Sequence, residues 1–149
     1  MTLLERIKSA MRDSMRARDE QRTSTLRMAM AAVQNARIAR GRDLNDEEVV
    51  DVVARQVKQR RESIAMYRDA GREERAAAEE AEAAILTEFL PEQMSEAQIE
   101  QLAREAVAET GASGPGDMGR VMGRVAPQTK GRADGRVVSE VVRRLLVGG

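Results

Sequence analysis

Apolar residues recur at helical spacing along the whole chain, and no segment alternates as a half-buried strand would. Four such stripes precede Pro91 and three follow it. They run through Leu3, Ile7, Met11 and Met15; Leu26, Met30 and Val33; Val49, Val53, Val57 and Ile64; Ile85, Leu86, Phe89 and Leu90; Ile99, Leu102, Ala106 and Val107; residues 115–127; and Val137, Val138, Val141, Val142, Leu145 and Leu146. The pattern predicts an all-α protein.

The ends of these helices are marked by residues with known capping preferences. Glycines, which adopt left-handed conformations easily, follow three of the stripes at Gly41, Gly71 and Gly111. Asn45 with Glu48, and Ser95 with Gln98, have the spacing of capping boxes at helix starts. We therefore expect separate helices with short connections.

A domain boundary is expected at Pro91, because proline cannot continue a helix and "PEQMS" then reads as a short connector. The predicted fold is a four-helix N-terminal unit of residues 1–90. It is joined at this proline hinge to a three-helix C-terminal domain of residues 95–147.

Gly119 and Gly123 lie four residues apart in the segment between Pro115 and Pro127, which are expected near its first helical turn and just past its end. Glycine inside a helix costs about 1 kcal/mol relative to alanine. The pair therefore predicts close approach of another backbone within the protein, or alternatively of a phosphate or ligand.

Composition excludes several classes of function. The 149-residue chain has no cysteine and no histidine, which excludes thiolate nucleophiles, Cys-based zinc sites and histidine-dependent triads. One Tyr, one Phe and no Trp argue against readers that stack bases on aromatic rings. No Walker loop or dinucleotide fingerprint occurs. We expect no catalytic residue, no metal and no cofactor.

The absence of a long apolar run and the charged first helix predict a soluble, cytoplasmic protein with no membrane partner. Its net charge is zero, but basic and acidic residues are unevenly distributed along the chain. Residues 1–43 hold ten basic and five acidic residues, residues 72–110 hold three and eleven, and residues 111–149 hold seven and three. Such asymmetry is typical either of a nucleic-acid-binding face or of helical layers that attract each other.

Two basic groups are candidate phosphate contacts. The first comprises Lys58, Arg60 and Arg61 of "KQRR", predicted on the face opposite Val57 and Ile64, where they form either a solvated helix face or a phosphate-binding patch.

The second group lies in "KGRADG" at the start of the last helix. Gly131 and Gly135 permit a tight turn in which Asp134 caps the helix and leaves N–H groups beside Lys130 and Arg132. That geometry could bind a phosphate. Alternatively, Asp134 neutralises Arg132 and the glycines serve only the turn.

Four segments carry a resemblance to a known family: "KQRRESIAMYRDAGREE" (58–74), "FLPEQMSE" (89–96), "ETGASGPGDMGRVMGRV" (109–125) and "KGRADGRVVSEVV" (130–142). In this order they resemble the GatB/YqeY family, specifically its small stand-alone YqeY-like members. The resemblance implies a helical N-terminal bundle and a three-helix domain similar to the tail of the aspartyl/glutamyl-tRNA amidotransferase B subunit, where the domain helps hold tRNA.

The family is often labelled with carbon–nitrogen ligase activity that uses glutamine as amide donor. This chain lacks the amidase subunit's serine-rich signature and the B subunit's metal-bearing cradle. The leading expectation is therefore a non-catalytic accessory module that contacts tRNA through Lys130, Arg132 and Arg136, with Arg120 and Arg124 as neighbours.

Two alternatives remain from other classes. The first is an adaptor whose acidic helix of residues 72–90, with the first helices, docks a tRNA synthetase or amidotransferase subunit. The second, less favoured, is glutamine-dependent amide transfer by the chain itself.

Overall fold

The structure is a computed structural model that describes residues 1–148, in which seven α-helices and no strand occur. The helices are α1 (Leu3–Arg16), α2 (Glu20–Arg40), α3 (Asp46–Asp69), α4 (Glu73–Thr87), α5 (Glu96–Thr110), α6 (Met118–Thr129) and α7 (Gly135–Gly148). They form two compact units, Met1–Leu90 and the residues from Pro91 onward. The prediction of an all-helical chain with four helices followed by three is confirmed.

Local capping sets the helix boundaries of the N-terminal unit. The Asn45 side chain accepts the backbone N–H of Glu48 at 2.9 Å, and the Glu48 carboxylate accepts the Asn45 N–H at 3.0 Å, so the predicted capping box is present. Gly41 and Gly71 follow α2 and α3 with φ of 74° each. A side chain at either position would strain the backbone, which explains why glycine stands there.

The core of the N-terminal unit is built from aliphatic side chains of all four helices together with Phe89. Its buried members are Leu3, Ile7, Leu26, Ala29, Val33, Val49, Val53, Val57, Leu86 and Phe89. The acidic helix α4 packs along α3 and buries Ala76, Ala83 and Leu86. Contact with α3 therefore begins in the first turn of α4 and continues along the helix.

Acidic side chains on and after α4 pair with arginines of neighbouring helices. Glu88 accepts from Arg22 at 2.7 Å, while Glu80 and Glu73 accept from Arg68 at 2.7 and 3.2 Å. Within this unit, the uneven distribution of charge along the sequence thus produces electrostatic attraction between α4 and its neighbours α2 and α3.

The C-terminal unit packs α5, α6 and α7 around a second aliphatic core. Its buried members are Ile99, Ala103, Ala106, Val121, Val125, Val138, Val141, Val142 and Leu146. Ser95 and Gln98 form the predicted capping box of α5, and Gly111 follows that helix with φ of 66°. A 3-10 turn at Pro115–Asp117 leads into α6.

Pro127 corrects the sequence analysis, because it lies inside α6 rather than beyond it. Proline cannot donate to the carbonyl four residues earlier, which here belongs to Gly123. The helix nevertheless continues to Thr129, whose side chain is buried and donates its hydroxyl to the carbonyl of Val125 at 3.2 Å. The buried Thr129 side chain thus helps to hold a last turn that lacks one backbone hydrogen bond.

The capping box at the start of α3 predicts an acid-sensitive contribution to stability. The Glu48 carboxylate accepts two hydrogen bonds from Arg42 and one from the Asn45 N–H, with Arg40 also in contact; these partners lower its pKa from 4.5 to about 2. A carboxylate with a depressed folded-state pKa stabilises the fold above its ordinary pKa, and this stabilisation is lost as pH falls from about 4.5 to about 2.

We expect Glu48→Gln to lower stability at neutral pH and to flatten its pH dependence between pH 4.5 and 2. Urea unfolding across this range measures both effects. Glu62→Gln, which changes an exposed side chain of the same helix, is the control. An unchanged pH dependence in Glu48→Gln would contradict the assignment.

Candidate nucleic-acid interface

The loop between α6 and α7, residues 130–134, folds as a tight turn. The N–H groups of Arg132 and Ala133 both donate to the carbonyl of Thr129, at 2.8 and 3.0 Å. Gly131 has φ of 73°, a left-handed conformation that favours glycine. We refer to residues 130–134 as the cationic loop.

Asp134 caps α7 at the end of the cationic loop. Its carboxylate accepts the N–H of Arg136 at 2.9 Å, and its carbonyl accepts the N–H of Val138 at 3.1 Å. Within residues 1–148, Asp134 makes no ion pair with Arg132. The acid of this loop therefore caps the helix start, and its single charge offsets only part of the positive charge nearby.

Residues 91–94, which we call the connector, are hydrogen-bonded to the cationic loop. The Met94 N–H donates to the carbonyl of Arg132 at 2.8 Å, and Gln93 Nε2 donates to the carbonyl of Gly131 at 2.9 Å. In the other direction, Arg132 Nε donates to the carbonyl of Glu92 at 3.1 Å. The connector is thus part of the C-terminal unit.

Two of the predicted cations, Lys130 and Arg132, lie in this turn, and the third, Arg136, follows it. All three side chains are accessible to solvent. Lys130 and Arg136 are exposed, and Arg132 is half-buried. Among the described residues, the Arg136 guanidinium makes no hydrogen bond or ion pair, and the Nη groups of Arg132 make no hydrogen bond. Three cations against the one carboxylate of Asp134 leave residues 130–136 with a positive surplus.

Arg120 and Arg124, the predicted neighbours, are held by the C-terminal end of α5 and the turn after it. Arg120 bonds to Asp117 at 2.6 Å and to the carbonyl of Thr110 at 3.2 Å, while Arg124 bonds to Glu109 at 3.0 Å. Their side chains remain 60% and 56% exposed. They tie α6 to α5, and Arg120 lies about 14 Å before the end of α6.

The carboxylate of Asp117 anchors this junction. It accepts the Ser113 N–H at 2.9 Å and the Arg120 guanidinium at 2.6 Å. These two hydrogen bonds, the first above all, lower the pKa of Asp117 below its ordinary value. The ionised Asp117 carboxylate thus holds the Arg120 guanidinium in an ion pair within the C-terminal unit.

Gly119 and Gly123 are exposed, and the prediction that another backbone of the protein approaches them is wrong. A Cβ built at either position would meet nothing within 4 Å. The sequence contained the relevant signal, since both lie two residues before the buried Val121 and Val125. A two-residue step is about 200° around a helix, which places the glycines on the opposite face.

The "KQRR" group is also corrected by the structure. Lys58 is exposed and Arg61 half-buried, but Arg60 is only 7% exposed. Its Nη2 lies 3.8 Å from Met28 Sδ and its Nε 3.8 Å from Glu82 Oε2. The missed signal is spacing: Arg60 stands three residues after Val57 and four before Ile64, on the buried stripe itself. These three residues therefore do not form one surface patch.

The remaining features of the C-terminal unit offer less to an anionic ligand. A groove of about 630 Å³ between α5 and α7 is bordered by Arg144, paired with Glu96 at 3.0 Å, and Arg104, paired with Glu100 at 2.7 Å. No group of three or more His, Cys, Asp or Glu side chains in the described part of the chain is arranged to hold a metal. Over the same residues, no helix is both long and apolar enough to cross a bilayer.

Comparison with known proteins gives a family and three relatives. The model of the family described as Yqey-like protein matches residues 4–146. Altered inheritance of mitochondria protein 41, mitochondrial, of Pyrenophora tritici-repentis is 28% identical over 147 residues, which cover 97% of this chain and 81% of that protein. An uncharacterized protein of Schizosaccharomyces pombe is 30% identical over 89 residues, covering 60% of this chain and 72% of that protein.

A third relative has a name that refers to tRNA. The E subunit of glutamyl-tRNA(Gln) amidotransferase of Thermococcus gammatolerans is 41% identical over 73 residues, which cover 49% of this chain and 12% of that protein. The similarity thus concerns about half of the present chain and a small part of a much larger protein.

The exposure of Gly119 predicts that a side chain is tolerated there. We expect Gly119→Ala to raise the free energy of unfolding by up to about 1 kcal/mol, because alanine favours the helix and no neighbouring atom obstructs its methyl group. Gly111→Ala, at φ of 66°, should lower it. Urea unfolding of both variants gives the comparison, and a destabilised Gly119→Ala would show that the glycine face is packed after all.

The burial of Arg60 predicts that its charge costs stability. We expect Arg60→Met to leave the free energy of unfolding unchanged or higher, because an apolar side chain of similar length replaces a buried ion. Glu82→Gln should lower it by about 1 to 2 kcal/mol, because Arg60 then loses its acidic neighbour.

Glu79→Gln removes another carboxylate of α4 and should change stability by less than about 0.5 kcal/mol. Chemical denaturation measures all three variants. Strong destabilisation by Arg60→Met would show instead that the guanidinium is required for folding.

Proposed function

The chain belongs to the Yqey-like protein family, and we propose that it is a non-catalytic accessory module that binds tRNA through phosphate and shape contacts. The observation that carries the proposal is the cationic loop. Lys130 and Arg136 are exposed beside the half-buried Arg132, and the only acid among them, Asp134, is engaged in capping α7.

The chemistry of this loop suits a phosphate group. Arginine offers planar, bidentate N–H donors that match phosphate oxygens, and lysine adds a compact charge. A chain with one Phe, one Tyr and no Trp has few surfaces for stacking bases, so recognition of shape and backbone is favoured over reading of sequence.

The choice of tRNA within the class of polyanions rests on the relatives. A protein named as the E subunit of glutamyl-tRNA(Gln) amidotransferase shares 41% identity over 73 residues with this chain. We extend from that name the proposal that this chain serves tRNA-dependent amidation or aminoacylation, in association with an amidotransferase or synthetase. The shared segment is 12% of that relative, so the proposed role is binding and not the relative's whole activity.

The acidic helix α4 supports a protein-docking role less well. Its residues Ala76, Ala83 and Leu86 are buried, and Glu73 and Glu80 accept from Arg68 of the same unit. A partner that used these carboxylates would have to displace existing contacts. At Arg136, which follows the cationic loop in the first turn of α7, a phosphate would displace no hydrogen bond or ion pair of the guanidinium with a described residue.

The proposal predicts salt-sensitive tRNA binding that depends on Arg136. We expect Arg136→Glu to weaken tRNA binding about tenfold at moderate salt and to reduce the slope of log K against log [salt] by about 1, because one phosphate contact is lost. Fluorescence anisotropy with labelled tRNA at several KCl concentrations measures both quantities.

The control is Arg104→Glu, an equal charge reversal at an exposed arginine of α5. It should change affinity much less. Equal weakening by the two variants, or no binding by folded wild-type protein at low salt, would refute the proposal.

A further inference from the structure

We infer that the connector supports the tRNA contact from behind the cationic loop, with Gln93 as a positioning residue that holds this loop in the form that presents Arg132. This inference deepens the proposed function and rests on it. It starts from hydrogen bonds that join residues 38 and 40 positions apart in the sequence.

Gln93 is placed to restrain the loop through its side-chain amide. Its Nε2 donates to the carbonyls of Pro91 and Gly131, at 2.9 Å each, so the amide bridges the connector and the loop. The carbonyl of Gly131 belongs to the one left-handed residue of the turn. Fixing this residue limits the backbone freedom that glycine would otherwise give the loop.

Arg132, the residue after Gly131, is held at three points by the turn and the connector. Its N–H donates to the Thr129 carbonyl, its carbonyl accepts from the Met94 N–H at 2.8 Å, and its Nε donates to the Glu92 carbonyl at 3.1 Å. The last bond uses one of five guanidinium N–H groups. Four N–H groups on Nη1 and Nη2 therefore remain for a phosphate, on a side chain whose direction is already set.

Such pre-arrangement favours binding because less conformational freedom is lost when the ligand arrives. Immobilising a long side chain on binding costs conformational entropy, and the connector removes part of that cost before tRNA is present. Gln93 need not touch the RNA. Its effect passes through Gly131 to the orientation of Arg132.

The test uses the full chain with Gln93→Met, which keeps the length of the side chain and removes both donors. Gln101→Met is the matched control, because Gln101 is an exposed glutamine of the same unit that bonds to Glu105 at 3.1 Å. Amide hydrogen exchange without RNA reports on the loop, thermal unfolding on the fold, and tRNA anisotropy against KCl concentration on binding.

We expect Gln93→Met to speed exchange of the Met94 and Arg132 amides, to leave the melting temperature close to that of wild type, and to weaken tRNA binding about three- to tenfold. The salt slope should fall by up to about 1, as the Arg132 contact is lost. Gln101→Met should change none of these quantities.

Two results would overturn the inference while leaving the proposed function intact. One is unchanged exchange at Met94 and Arg132; the other is faster exchange with unchanged affinity and salt slope. If the wild-type protein binds no tRNA, the proposed function is refuted. The positioning role for tRNA is then refuted as well, whether or not the exchange data show that Gln93 restrains the loop.

Discussion

The pairing of the connector with the cationic loop is the interaction on which the candidate site depends. A five-residue turn between two helices has carbonyl groups that no helix can satisfy, and buried backbone groups need partners. The connector supplies them, since Met94 and Gln93 donate to the carbonyls of Arg132 and Gly131. Lys130 at the start of this turn and Arg136 just after it are both exposed.

Charge serves different purposes in the two units, although the whole chain is neutral. In the N-terminal unit, acids on and after α4 pair with arginines of α2 and α3, and electrostatic attraction reinforces helix packing. In the C-terminal unit, Arg124 pairs with Glu109 between helices, whereas the Arg136 guanidinium forms no ion pair with a described residue. In physiological salt the Debye screening length is about 8 Å, so exposed charges farther apart than this interact weakly. The local arrangement of charges therefore matters more than the net charge of the chain.

The features that the sequence predicts well are those determined by residues three or four positions apart. The capping boxes at Asn45 and Ser95, and the left-handed glycine at Gly41, follow from local hydrogen bonding and backbone sterics. The turn at Gly131 and the cap at Asp134 belong to the same class. Together they account for the helix count and for the shape of the cationic loop.

Of the features that the sequence analysis missed, two have a signal in residue spacing and one depends on contacts between residues far apart in the sequence. The spacing of Arg60 places it on a buried stripe although a charged side chain suggests solvent, and in the structure it lies near Met28 and Glu82 of neighbouring helices. Gly119 and Gly123 suggested a packed face, yet their side of α6 is open. The bonds from Gln93 and Arg132 span 38 and 40 residues, beyond any local pattern.

The central claim is that tRNA phosphates bind at the cationic loop and that the connector holds this loop in position. The most direct measurement is a titration of ¹⁵N-labelled protein with tRNA, followed by backbone amide shifts. The account predicts that the largest changes fall on residues 130–136, with smaller changes at 92–94, and that added salt reverses both. Changes concentrated on α1 or α4, with the cationic loop unaffected, would contradict it.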